Sequence, residues 1–145
     1  MNGWLLDTNI LSEMIKPRPE PKTVRFIASQ PLDRLFISVV TIAEIRYGIE
    51  KVTAAARRTE LNDWLAHRVR PMFVNRVLPI GEDVMLKWRL LLEAGRLARH
   101  TFPQPDLLIA ATAVLNGLTI VTRNTRDFDL ARVPVFNPWT DPLTG

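Results

Sequence analysis

The stretch Asp106-Leu107-Leu108-Ile109-Ala110-Ala111-Thr112-Ala113-Val114-Leu115 is helix-forming and almost apolar on every side. A helix of that kind belongs in the middle of a fold, where other elements cover it. Asn116-Gly117 ends it, since glycine readily takes the left-handed backbone that closes a helix. Leu118-Thr119-Ile120-Val121-Thr122 follows directly and reads as a buried strand.

The same alternation recurs along the chain. Trp4-Leu5-Leu6 is a short apolar strand ending at Asp7, and Thr8 to Ile15 suits a short helix. Pro17, Pro19 and Pro21 stop that helix by removing donors and biasing their neighbours to extended backbone. Thr23 to Ser29 carries Val24, Ile27 and Ala28 at helical spacing. Leu35 to Val40, rich in β-branched and aromatic residues, is a second strand. Thr41 begins a long helical region whose pattern includes Ile42, Ile45, Ile49, Leu61, Trp64, Leu65 and Val69. Gly48 and Thr53 mark a bend that leaves one helix or two open, and Pro71 ends the region. Val77-Leu78-Pro79-Ile80 is a third, edge-like strand. A helix follows Gly81, with Val84, Trp88, Leu91 and Leu92 on one side, and His100 to Pro105 is a loop. Val133 to Phe136 is a last short strand, with Pro134 arguing for a sheet edge. The tail from Asn137 to Pro142 is irregular. Strands that alternate with helices and lack polar alternation predict a parallel sheet covered on both faces, an α/β fold. Sites in such sheets form outside the carboxyl ends of the strands.

The chain has 145 residues, of which 47% are hydrophobic and 23% charged, a composition that excludes disorder. That length suits one domain over 1–145 and buries roughly two-thirds of its surface. Cysteine is absent, which excludes disulfides, thiolate metal sites and cysteine nucleophiles. No apolar run approaches the roughly 20 residues of a membrane span. The first nine residues lack a basic region and reach Asp7, so they do not read as a secretory signal, and the cytoplasm is the expected location. The net charge of +4 comes from arginine, 15 Arg against 4 Lys. Arginine presents a planar fork of donors to phosphate or carboxylate, a modest bias towards nucleic acid. There is no glycine-rich phosphate loop. His67 and His100 lack metal-motif spacing and suit surface roles.

The acidic residues are more informative. Asp7 ends the first strand, Glu44 lies on the helix after the second, Asp106 opens the buried helix, and Asn124 and Asp127 follow the strand that ends at Thr122. All can reach one edge of a parallel sheet. Carboxylates converging there repel one another and hold protons more tightly, a cost that a divalent cation relieves. Oxygen ligands without cysteine favour Mg2+ or Mn2+ over zinc. The matching chemistry is metal-assisted phosphodiester hydrolysis by an activated water. Each residue also has a purely structural role open to it. Asp7 suits the cap of the next helix. Glu44 lies three residues after Thr41, which matches a capping box. Asp106 suits a helix N-terminus, Asn124 a turn, and Asp127 a solvated loop. Asn9, Ser38 and Thr122 are supporting candidates, and Arg46 and Arg123 are candidates for contact with RNA or a protein partner.

Leu5-Leu6-Asp7-Thr8-Asn9, Ser38-x-x-Thr41-Ile42-Ala43-Glu44, Asp106-x-x-Ile109-Ala110-Ala111-Thr112-Ala113 and Thr122-Arg123-Asn124-x-x-Asp127-Phe128 resemble, in order, the motifs of PIN-domain proteins. They resemble more closely the VapC toxins of toxin–antitoxin pairs, and Val135-Phe136-Asn137-Pro138-Trp139 is similar to the branch that contains FitB. The resemblance implies a three-layer α/β/α fold with a central parallel sheet of about five strands. It implies a Mg2+- or Mn2+-dependent endoribonuclease that is a homodimer and is neutralised by a cognate antitoxin. The antitoxin would lay a C-terminal segment across the toxin groove and carry most of the contact with operator DNA. By position, Asp7, Glu44 and Asp106 match the family's firmest acids. Asp127 is the first choice for the fourth, with Asn124 as a neutral ligand or water orienter. Pro103-Gln104-Pro105 departs from the usual pattern before Asp106. Two other functions stay open: an inactive binding or repressor-complex subunit, and a phosphatase-like hydrolase with an Asp nucleophile, whose lysine-bearing motifs the chain lacks.

Overall fold

The computed structural model describes residues 3–101 and 103–143, and the backbone but not the side chain of Leu130. Met1, Asn2 and Phe102, which the sequence places in the N-terminal segment and in a loop, lie outside the described residues.

Five strands are present: β1 (Trp4–Leu6), β2 (Leu35–Ser38), β3 (Val77–Leu78), β4 (Thr119–Val121) and β5 (Val135–Phe136). The helices are α1 (Thr8–Met14), α2 (Pro21–Ser29), α3 (Val39–Glu50), α4 (Ala55–Trp64), α5 (Arg70–Met72), α6 (Glu82–Leu97) and α7 (Gln104–Asn116). A wide π turn, Leu65–Val69, joins α4 to α5, and a 3-10 turn, Thr125–Ala131, joins β4 to β5.

All strand pairs are parallel, in the order β3-β2-β1-β4-β5. Leu5 pairs with Phe36 on one side and Ile120 on the other. Side chains alternate across the sheet and feed two cores. Leu6, Leu35, Ile37 and Val121 pack with Ile10 and Leu11 of α1, Phe26 and Ile27 of α2, and Ile42, Ile45 and Ile49 of α3. Leu5 and Ile120 point the other way, to Leu107, Ile109, Ala110 and Ala113 of α7 and to Phe128. Trp88, Leu91 and Leu92 of α6 close that second core. This is the expected three-layer α/β/α arrangement. Alanines in α7 let the helix approach the sheet while α6 covers its other side.

Two glycines are required by the backbone. Gly117 caps α7 at φ 63°, in the left-handed region. Gly3 enters β1 at φ 133°, and a Cβ there would stand 2.8 Å from the Arg34 carbonyl oxygen.

Several boundaries differ from the sequence expectation. β2 stops at Ser38, and Val39 and Val40 form the first turn of α3. Gln104 and Pro105 belong to α7, because proline is tolerated where a helix N–H has no partner. Pro71 lies inside the short α5, directly after the π turn, and the helical region runs on to Met72. The bend after Gly48 resolves into two helices separated at 51–54. The polar loop after Asn124 is a 3-10 turn anchored by the buried Phe128.

Candidate functional site

The chain order β1, β2, β3 runs to one side of the sheet, and β4, β5 to the other, so the direction of winding reverses between β1 and β4. A crevice opens outside the carboxyl ends at such a point. Asp7 leaves β1 there and Thr122 leaves β4.

Asp7 is 5% exposed. Its Oδ1 accepts the Thr8 N–H at 2.8 Å, which makes it the cap of α1. Its Oδ2 accepts the Thr122 hydroxyl at 2.8 Å and the Asn9 amide at 3.3 Å. Thr122 Oγ1 in turn accepts the Asn9 amide and the Asn124 N–H, each at 3.0 Å. Asn9 Oδ1 accepts the Arg123 N–H at 3.2 Å. Capping and site placement are therefore compatible in one carboxylate: one oxygen caps, and the other is held by Asn9 nearby and by Thr122, 115 positions away in sequence.

Glu44 does not complete a capping box with Thr41. Ser38 caps α3, its Oγ accepting the Val40 N–H at 3.0 Å. Ser38 is fully buried and does not line the crevice; it sets the start of the helix that carries Glu44. Glu44 Oε1 accepts the Thr8 hydroxyl at 2.9 Å. Asp106, in the first turn of α7, is half-buried at the crevice. Asp127 does not line the crevice, but its side chain is close enough to Asp106 to help raise the Asp106 pKa.

These contacts enclose a cleft of about 340 Å³, lined by Asp7, Thr8, Asn9, Glu44, Asp106, Arg123, Asn124 and Trp139. Ser12, Glu13 and Lys16 complete it. Arg46 is exposed on α3 and is not part of the lining. Ser12 and Lys16 are not among the sequence candidates; Ser12 lies one turn after Thr8 on α1, and Lys16 lies just beyond the end of that helix. Glu13 also went unnoticed. It is covered, and its carboxylate is held below its usual pKa first by the hydrogen bond from Lys16 at 2.8 Å, then by the Glu20 N–H. Asn137 and Trp139 fall in the Val135–Trp139 segment that carries the resemblance, but its irregular backbone gives no spacing from which a place at the cleft follows.

The acids act on one another. Burial raises the Asp7 pKa; hydrogen bonds from Thr122 and Thr8 oppose this, and the Asp127 charge adds to it. Burial likewise raises Glu44, with the Asp7 charge adding and the Thr8 hydroxyl opposing. Asp106 is pushed to about 7, by burial first and then by the charges of Asp7, Asp127 and Glu44. Among the described residues, however, no three His, Asp or Glu side chains form a group that could hold a metal ion. Glu44 is drawn to Thr8, Asp106 to Asp127, and the oxygens of Asp7 take three donors. The acids share one electrostatic neighbourhood without forming the tight cluster expected from sequence. Nor is any described helix long and apolar enough to cross a membrane.

The sequence model of the PIN domain matches residues 4–134. The chain is 34% identical over 137 residues to Toxin FitB of Neisseria gonorrhoeae, covering 94% of this chain and 99% of that protein. It is 34% identical over 135 residues to VapC ribonuclease Y4jK of Sinorhizobium fredii, covering 93% and 96%. Among solved structures, FitAB bound to an IR36 DNA fragment superposes with a TM-score of 0.91 at 31% identity, covering 98% of this chain and 99% of that one.

Proposed function

This chain belongs to the PIN-domain family, and from that premise we propose that it is a Mg2+- or Mn2+-dependent endoribonuclease toxin, neutralised by a cognate antitoxin. One observation carries the reading. Asp7, Glu44, Asp106 and Asp127 come from four distant segments, and Asp106 is pushed to about 7 by burial at the crevice first and by the charges of the other three second. An oxygen-only donor set under mutual repulsion suits a hard divalent cation. The four do not stand as a ready-made ligand group, so to hold it Asp7, Glu44 and Asp106 in the cleft lining and Asp127 outside it would turn from their present partners, with Asn124 as a neutral neighbour. When bound, the ion supplies Lewis acidity at the phosphate and relieves that repulsion.

The remaining roles belong to the chain. Thr122 and Asn9 fix the Asp7 carboxylate, so its orientation does not depend on the substrate. The Thr8 hydroxyl holds Glu44 beside it. Arg123 offers a guanidinium to phosphate within the same cleft.

Y4jK is named a ribonuclease, FitB a toxin, and FitAB is seen on DNA. By likeness, this chain pairs with an antitoxin that carries most of the contact with operator DNA. The exposed Leu86 and Leu90, four apart on α6, suit a homodimer contact.

The test is cleavage of defined RNAs by purified protein in Mg2+, Mn2+ or EDTA, alongside Asp7→Asn and Asp106→Asn. Cleavage by the folded wild type that EDTA and both substitutions abolish is the expected result. Equal residual cleavage in all samples, or none by folded wild type in either metal, overturns the assignment and leaves a binding subunit.

A further inference from the structure

The cleft has a cationic side as well as an acidic one. Its lining includes two described cations, Lys16 and Arg123. Lys16 is paired with Glu13 at 2.8 Å. Arg123 enters no ion pair among the described residues, and its guanidinium lies over the Trp139 ring, 5.3 Å from the centroid.

The C-terminal turn builds this arrangement. Asn137 is 8% exposed. Its Nδ2 donates to the Arg123 carbonyl at 3.4 Å, and its Oδ1 accepts the Trp139 N–H at 2.9 Å. Its own N–H donates to Asp141 Oδ2 at 2.8 Å. One buried amide thus ties the backbone of the arginine to the backbone of the ring that supports it. From the other side, Asn9, which also holds Asp7, accepts the Arg123 N–H. The arginine is therefore referenced to the acidic site through one side chain and to the tryptophan through another.

We propose that the 137–141 turn is a positioning device for substrate: Asn137 and Trp139 hold the Arg123 guanidinium in the cleft, where it takes a phosphate of single-stranded RNA. A guanidinium held over the face of an indole by cation–π attraction leaves N–H donors free for phosphate and loses less freedom when it binds. Trp139 and Asn137 act through Arg123 and not on the RNA itself. The proposal rests on the function proposed above, because that reaction is what brings a phosphodiester into this cleft.

The test measures binding of a short labelled single-stranded RNA by anisotropy. It uses an Asp106→Asn background in Mg2+, which removes the chemistry and one repelling charge. Arg123→Ala should weaken binding and reduce the slope of log K against log salt by about 0.7, the value for one phosphate contact on a single strand. Trp139→Leu keeps apolar packing but removes the ring face; it should weaken binding about two- to fivefold, and Trp139→Phe should restore most of it. In the Arg123→Ala background Trp139→Leu should have no further effect. Tm values for all variants identify any that are unfolded, and Asn137→Asp, close in size, replaces Trp139→Leu if that variant does not fold. Additive losses would mean that Trp139 contacts RNA directly, and overturn the proposal. So would an unchanged salt slope in Arg123→Ala, or no measurable RNA binding, either of which leaves Arg123 to a protein carboxylate. If the wild type fails to cleave but the coupled losses appear, the nuclease assignment falls and the positioning role stands. If cleavage is metal-dependent and Arg123→Ala leaves both KM and Kd unchanged, the reverse holds.

Discussion

Asp106→Asn should stabilise the metal-free protein while abolishing its proposed activity. The Asp106 carboxyl goes from 3.8 in the unfolded chain to about 7 in the fold. Between those values the native state binds more protons than the unfolded one, so stability falls as pH rises through the window. The penalty is absent below the lower value and complete above the upper one. Unscreened, that shift would correspond to ~4 kcal/mol. Asp106 is half-buried at an open cleft, so water screens its neighbours and about 1–2 kcal/mol is the working figure. Asparagine has nearly the same shape and no charge, so it escapes the penalty. For a chain of this size the gain is about 3–6 °C in Tm at pH 8. Differential scanning calorimetry in EDTA, from pH 8 down towards pH 4, measures it. The advantage of the variant should shrink as pH falls. A variant that melts lower than wild type at pH 8, or a gap that ignores pH, would show that burial and neighbouring charges do not raise the Asp106 pKa.

Magnesium should reverse that order. At a hundred times its Kd the ion adds about 2.7 kcal/mol to the wild type and much less to Asp106→Asn; equal shifts in both would place the ion elsewhere. Thr122→Val removes the hydroxyl that donates to Asp7 and accepts two N–H groups. It should cost about 1–3 kcal/mol in urea denaturation and lower RNA cleavage, with Thr122→Ser close to wild type. Ser38→Ala removes the cap of α3 and should cost about 1 kcal/mol in the same assay, whereas Thr41→Val, at a buried hydroxyl with no hydrogen-bond partner among the described residues, should show no cap-sized loss; the reverse order would make Thr41 the cap.

Much of the fold was legible because its signals are local. The apolar run ending in Asp7, the strand opening at Leu35, the apolar α7 and the Asn116-Gly117 stop follow from periodicity and backbone preference. The misplaced boundaries share one cause. Val39 and Val40 have strand propensity, but Ser38 offers its hydroxyl to the next N–H, and packing of Ile42, Ile45 and Ile49 decides for helix. The cap thus moves from Thr41 to Ser38, three residues earlier, which also releases Glu44 from capping. Pro105 looked like a loop residue, yet the first turn of a helix accepts proline.

The acids could be nominated from sequence but not arranged. By itself, the sequence determined that carboxylates would stand at the ends of strands in a parallel α/β sheet. Only the tertiary structure decided that Thr122 would hold Asp7, that Thr8 would take Glu44, that Asp106 would titrate near 7, and that Trp139 would lie under Arg123. Strand and helix formation depend on residues a few positions apart. Proton affinity and side-chain pairing depend on burial and on charges across space, which strand order and register alone bring together.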